Sequence, residues 1–80
     1  MKASIIFYSG LEIYLKDNSN KMLEIDLDAK ENIISILHRF LPKESIGFVG
    51  MVLVNKIIKD FEYPVKEGDI IEVFPVIGGG

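Results

Sequence analysis

The sequence contains no cysteine. That excludes disulfides, a thiolate metal site and a cysteine nucleophile. There is a single histidine, His38, so a histidine-rich metal cluster is excluded too. Basic charge is also sparse: nine Lys and Arg are scattered along a chain of net charge −3. Nothing forms a basic stripe, so nucleic-acid binding is not expected. No apolar run approaches the ~20 residues of a membrane span. Met1-Lys2 leads directly into a strand-like stretch, without the apolar core and small-residue cleavage site of a signal peptide. A cytoplasmic protein with no membrane association is the expectation. The 80 residues allow one domain. A domain of this size buries only roughly 60% of the surface its unfolded chain exposes. Small domains often add disulfides or a metal. Here packing alone must hold the fold, and a composition that is 49% apolar makes that feasible.

Residues 3–8, rich in β-branched and aromatic side chains, predict a strand with Ala3, Ile5 and Phe7 on one face and Ser4, Ile6 and Tyr8 on the other. Leu11, Ile13 and Leu15 mark a short element before the turn signal Asp17-Asn18-Ser19-Asn20. Over residues 22–27, Leu23, Ile25 and Leu27 alternate with Glu24 and Asp26, the pattern of a sheet with one buried and one wet face. Asp28, with Glu31 three residues on, reads as the N-cap of a helix over 29–41. Ile33, Leu37, Phe40 and Leu41 form its apolar face, and Pro42 stops it. The continuously apolar residues 48–54 predict a well-buried strand, followed by a tight turn at Asn55-Lys56 and a short returning strand at Ile57-Ile58. After loops at Pro64 and at Lys66-Glu67-Gly68-Asp69, residues 70–76 predict the last strand.

One helix among segregated strands implies an α+β domain with the helix across one face of a mixed sheet. The first and last strands both carry core patterns, which places them side by side at the centre. That is the β-grasp, or ubiquitin-like, fold over residues 1–76. Residues 77–80 follow as a flexible glycine tail, because Gly78-Gly79-Gly80 has no side chains to pack.

The stretch Val54-Asn55 and then Phe61-Glu62-Tyr63-Pro64-Val65-Lys66-Glu67-Gly68-Asp69-Ile70-Ile71-Glu72-Val73-Phe74-Pro75-Val76-Ile77-Gly78-Gly79-Gly80 resembles the C-terminal third of the MoaD/ThiS family of ubiquitin-like sulfur carriers. Ile6-Phe7-Tyr8-Ser9-Gly10-Leu11-Glu12 resembles the first strand and loop of MoaD, the small subunit of molybdopterin synthase. The Gly-Asp turn, the Phe-Pro pair and the terminal glycines at their spacing carry the likeness. The ending Ile77-Gly78-Gly79-Gly80 is more like ThiS, the thiamine-pathway carrier, whereas the long first hairpin is more like MoaD. The pathway therefore stays open between molybdopterin, which is favoured, and the thiamine thiazole.

The resemblance implies that the working group is the carboxylate of Gly80. A ubiquitin-activating-type adenylyltransferase (MoeB- or ThiF-like) would use Mg-ATP to form its acyl-adenylate, the chain itself binding no cofactor. A desulfurase or rhodanese persulfide would then displace AMP to leave a C-terminal thiocarboxylate. A sulfur-accepting synthase (MoaE- or ThiG-like) would receive the sulfur. On this reading the chain is not an enzyme but a sulfur-carrying co-substrate or small subunit. Glycine suits the tail: it adds no width in a narrow channel, permits positive φ and leaves the acyl carbon uncrowded. The rival readings are a ubiquitin-like modifier conjugated through Gly80 and a β-grasp interaction module with an inert tail.

The residues expected to meet partners are Tyr8, Ile58, Phe74, Pro75, Val76, Ile77, Gly78 and Gly79. Tyr8 and Phe74 lie opposite the core-facing Phe7 and Val73, and with Ile58 they predict an exposed apolar patch. For Ile58, a solitary exposed apolar residue is an equally good account. His38 reads as a solvated helix residue. Strand exposure and helix capping explain Asp26, Asp28 and Glu31 without a metal. Gly68-Asp69 reads as turn chemistry. Gly47 and Gly50 do not form a phosphate loop, because no helix start with Lys-Ser/Thr follows.

Overall fold

The stretches rich in β-branched side chains become strands. In the computed structural model, which describes residues 1–8, 10–15 and 21–76, these are β1 (Lys2–Phe7), β2 (Leu23–Asp26), β3 (Val49–Val54), β4 (Ile57–Lys59) and β5 (Ile70–Pro75). The helix α1 (Ile33–Phe40) follows β2, and 3-10 turns occupy Leu11–Tyr14 and Lys43–Phe48. The strand order is β2-β1-β5-β3-β4. β1 and β5 pair in parallel at the centre, with Phe7 opposite Val73, and every other described pair is antiparallel. This is the β-grasp arrangement expected from the sequence. No helix among the described residues is long and apolar enough to cross a membrane.

One face of the sheet carries the core. Ala3, Ile5 and Phe7 of β1, Ile71 and Val73 of β5, and Val52 and Val54 of β3 are buried against Ile33, Ile36 and Leu37 of α1. The Phe7 and Phe40 rings meet with centroids 5.7 Å apart and planes tilted by 55°, although Phe40 itself is only half-buried, as is Leu23. Ile36 is buried where the sequence reading passed over it. Leu11 and Leu15 are buried around the 3-10 turn, while Ile13 faces outward.

The helix begins later than the capping pattern predicts. Asn32, not Asp28, is the N-cap, its side chain accepting from Ser35 N at 3.0 Å. Asp28 and Glu31 still bond reciprocally, but they close a separate turn: Glu31 N reaches Asp28 O at 3.2 Å, and Asp28 N reaches Glu31 Oε1 at 3.1 Å. Lys30 within it has φ 66°, which no helix accommodates. The loop at 61–65 takes over the backbone groups here: Ile33 N donates to Tyr63 O (3.1 Å), Ile34 N to Phe61 O (2.9 Å), and Val65 N to Glu31 O (2.9 Å). Tertiary bonds satisfy the helix's orphan N–H groups at a point that local propensity could not anticipate.

β3 departs from its expected continuous burial. The register slips between Val49–Pro75 and Met51–Phe74, leaving Gly50 as the extra residue of a β-bulge. The bulge turns both Val49 and Val52 to the core despite their odd spacing, and Met51 and Leu53 are half-buried on the other face. Asn55 (φ 52°) and Lys56 (φ 71°) make the two-residue turn into β4, with both residues in the left-handed region that a tight hairpin demands.

Candidate functional site: the root of the tail and the open face of the sheet

The face of the sheet away from α1 is built by the same alternation that fills the core. β1 contributes Ile6, and Tyr8 follows in step. β5 gives Glu72 and Phe74, β3 gives Met51 and Leu53, and β4 gives Ile58. Register joins them: Ile6 lies beside Glu72, Glu72 beside Leu53, Leu53 beside Ile58, and Met51 beside Phe74. Tyr8 and Phe74 stack, with centroids 4.7 Å apart and planes within 9°. The structure thus brings three of the expected partner-facing residues, Tyr8, Phe74 and Ile58, onto one apolar surface. Ile58 is 66% exposed at its edge.

At one end of this face the chain leaves the sheet. Pro75 pairs with Val49, and Val76 N donates to Phe48 O at 2.7 Å. Phe48 and Val76 are 56% and 55% exposed, so apolar side chains surround the root of the tail. Ile77, Gly78, Gly79 and Gly80 lie outside the described residues.

Glu72 sits amid these apolar neighbours, only 7% exposed. Its carboxylate accepts from the Tyr8 hydroxyl at 2.9 Å and pairs with Lys56 Nζ at 3.1 Å. The Tyr8 hydrogen bond, followed by Lys56, holds the Glu72 carboxyl below its ordinary value. The same bond raises the Tyr8 phenol, since ionised Tyr8 would lose its role as donor. The sequence reading missed Glu72, Lys56, Met51 and Leu53. Glu72 alternates with Ile71 and Val73 as any solvent-facing charge would. The available signal was its neighbour across the sheet: Ile6 pairs with it, and Tyr8 comes two residues later.

Gly68-Asp69 does more than turn. Gly68 has φ 84°, which favours glycine. Asp69, 6% exposed, accepts from Asn55 Nδ2 and from Lys66 N, both at 2.9 Å, and Asn55 Oδ1 accepts from Ile70 N at 2.9 Å. This clamp locks the β3–β4 turn to the start of β5 and so fixes the strand that carries the tail. The acidic residues near α1 do not converge. Asp26 pairs with Lys2 at 2.9 Å, Asp28 is exposed, and Glu31 meets Arg39 at 3.1 Å. His38 is exposed on the helix. Among the described residues no group of three His, Cys, Asp or Glu side chains is placed to hold a metal.

Solved structures share this architecture. SAMP1 from Haloferax volcanii superposes with TM-score 0.73 at 16% identity, covering 100% of both chains. A second crystal structure, of H. volcanii small archaeal modifier protein 1, gives TM-score 0.68 at 15% identity over 92% of this chain and 95% of that one. A chain from the complex of subunits 1 and 2 of the molybdopterin-converting factor of Helicobacter pylori 26695 gives TM-score 0.66 at 22% identity, covering 100% of both. At these identities the likeness is one of fold. No curated protein matches the sequence significantly. Residues 24–80 match the ThiS family, and since that span is most of the chain and reaches the terminal glycines, the chain belongs to this family of ubiquitin-like sulfur carriers.

Proposed function

We propose that the Gly80 carboxylate is adenylated by a ubiquitin-activating-type enzyme, converted to a thiocarboxylate and used to donate sulfur to a synthase. The observation that carries this reading is the family match running through residue 80. The body supports it, since the central strand β5 delivers the chain out of the sheet beside an apolar face. A carboxylate is a poor electrophile. Attack of its oxygen on the α-phosphate of Mg-ATP, with loss of pyrophosphate, creates a mixed anhydride whose leaving group is AMP. A persulfide sulfur on the donor then attacks the acyl carbon and AMP departs. A second thiol of the donor attacks the resulting acyl disulfide at its S–S bond, leaving the thiocarboxylate on Gly80 and a disulfide on the donor. The chain supplies the carboxylate and the grip, and the partners supply the chemistry.

The open face with Tyr8, Phe74 and Ile58 is the surface we assign to the sulfur-accepting partner, with Pro75, Val76 and the tail residues Ile77, Gly78 and Gly79 passing into its active site. The structural likeness to a chain from a two-subunit molybdopterin-converting factor favours a synthase of that type, with a thiazole-forming acceptor as the alternative. The likeness to an archaeal modifier protein favours a second reading, in which Gly80 forms isopeptide bonds with other proteins. Intact-mass measurement from the native host separates the two. A carrier gains the mass difference between sulfur and oxygen, whereas a modifier is recovered attached to lysines. Recovery of neither species in cells active in sulfur transfer would contradict both.

A further inference from the structure

β3 carries a glycine where nothing about its own backbone demands one. Gly50 has no positive φ, but it has no room either. A Cβ there would meet Val76 Cα at 2.7 Å, Val76 N at 2.9 Å and the Pro75 carbonyl at 2.9 Å. All three are main-chain atoms of the root of the tail, so no side-chain rotation relieves the clash. Optimal carbon contacts lie near 3.5–4.0 Å, so the root would have to retreat by about 1 Å.

The surrounding hydrogen bonds show how the notch is used. Gly50 is the extra residue of the bulge between Val49 and Met51. The facing strand has Pro75 at that level, a residue with no N–H for the ladder. The next donor, Val76 N, bonds Phe48 O at 2.7 Å, so the chain runs directly over Gly50 before leaving the sheet. The bulge lets Val49 and Val52 both face the core, but the missing side chain is not needed there, since Val49, Val52 and Val54 fill it. The bare Cα serves the path of residues 75 and 76.

We infer that Gly50 is a positioning residue for the tail: its bare Cα and the Phe48 carbonyl form a saddle that sets the direction of the chain at Pro75 and Val76, where it leaves the sheet. This rests on the carrier reading and names the device that aims the reacting end. Partners grip the body and act on the carboxylate four residues beyond Val76, so an error at the root is carried to the reacting atom. Misplacement of a reacting group by about 1 Å costs on the order of a hundredfold in rate.

The test is ATP–pyrophosphate exchange by the adenylating enzyme of the same organism, with the full chain as substrate. Gly50→Ala adds the clashing atom. Val76→Pro deletes the donor without adding an atom at residue 50, and it decides the matter if Gly50→Ala does not fold. Gly50→Ala is expected to lower kcat about a hundredfold with KM for the carrier unchanged, because it leaves the gripping surface intact. Val76→Pro, which also changes a partner-facing side chain, is read by kcat alone, expected to fall by a similar factor. Loss of folded protein alone would instead raise the apparent KM and leave kcat at saturation unaltered. Amide exchange should show protection lost at residue 76 in Gly50→Ala and retained at Val52, Val54, Ile71 and Val73. Wild-type kcat in the folded variants overturns the inference and leaves the carrier reading standing. Absence of exchange with the wild-type chain overturns the carrier reading and this inference with it.

Discussion

Tyr8, directly after β1, and Phe74 of the neighbouring parallel strand β5 stack their rings, centroids 4.7 Å apart and planes 9° from parallel. Stacking fixes two large apolar groups on the face of the sheet opposite α1. Rigid aromatic anchors of this kind concentrate binding energy when a partner excludes water from them. Phe74→Ala is expected to weaken binding to the sulfur-accepting synthase by ~2 kcal/mol or more, with the far-UV spectrum unchanged. Calorimetry with that partner checks it, and unchanged affinity would remove Phe74 from the interface.

Asp69 offers a test of the clamp that aims β5. Asp69→Ala leaves Asn55 Nδ2 and Lys66 N without their acceptor in a site that is 6% exposed at the aspartate. Hydrogen bonds to a charged acceptor contribute about 1.5–3 kcal/mol. Denaturant unfolding should show a loss in that range. A loss near zero would mean that water replaces the carboxylate freely.

Leu37 is fully buried under α1. Leu37→Ala is expected to cost ~2–5 kcal/mol, since the surrounding side chains relax only partly into the cavity. A cost near zero in equilibrium unfolding would place the helix face elsewhere.

Acid should weaken the fold partly through Glu72. Its carboxyl lies below the ordinary value of 4.5, chiefly because the Tyr8 hydroxyl donates to the charged form and then because of Lys56. The folded state therefore binds this proton less readily than the unfolded chain does. The stabilisation is complete above the ordinary value and is lost as pH falls through the lower, folded one. Glu72→Gln keeps an acceptor for Tyr8 but cannot titrate. Its stability should decline less steeply than the wild type's below pH 4.5. Parallel acid limbs for the two proteins would refute the assignment.

The fold was legible where pattern and burial agree. Ile5 and Phe7, Ile71 and Val73 announce two strands with a shared core face, and their buried positions place both at the sheet's centre. Tyr8 and Phe74 follow as the outward residues of the same strands. The start of α1 was not legible, because the loop at 61–65 supplies carbonyls to Ile33 and Ile34 from thirty residues away in sequence, and Asp28 offered a local pattern that tertiary bonds overrode. Gly50 was read only as a failed phosphate-loop motif, since a close approach of main chain to main chain leaves no mark in the sequence beyond the glycine itself. Glu72 looked like an ordinary exposed charge because its partners, Tyr8 and Lys56, lie on two other segments.

The central claim is that the free Gly80 carboxylate is the site of activation. One residue of extended chain spans about 3.3–3.6 Å, far more than a reacting atom can be displaced without loss of rate. A variant extended by one residue no longer has its carboxylate on Gly80 and leaves the folded body untouched. ATP–pyrophosphate exchange with the cognate adenylating enzyme should be strong for the wild-type chain and absent for the extended, unprocessed variant, while the melting temperature stays the same. Full exchange with the extended variant would contradict the account.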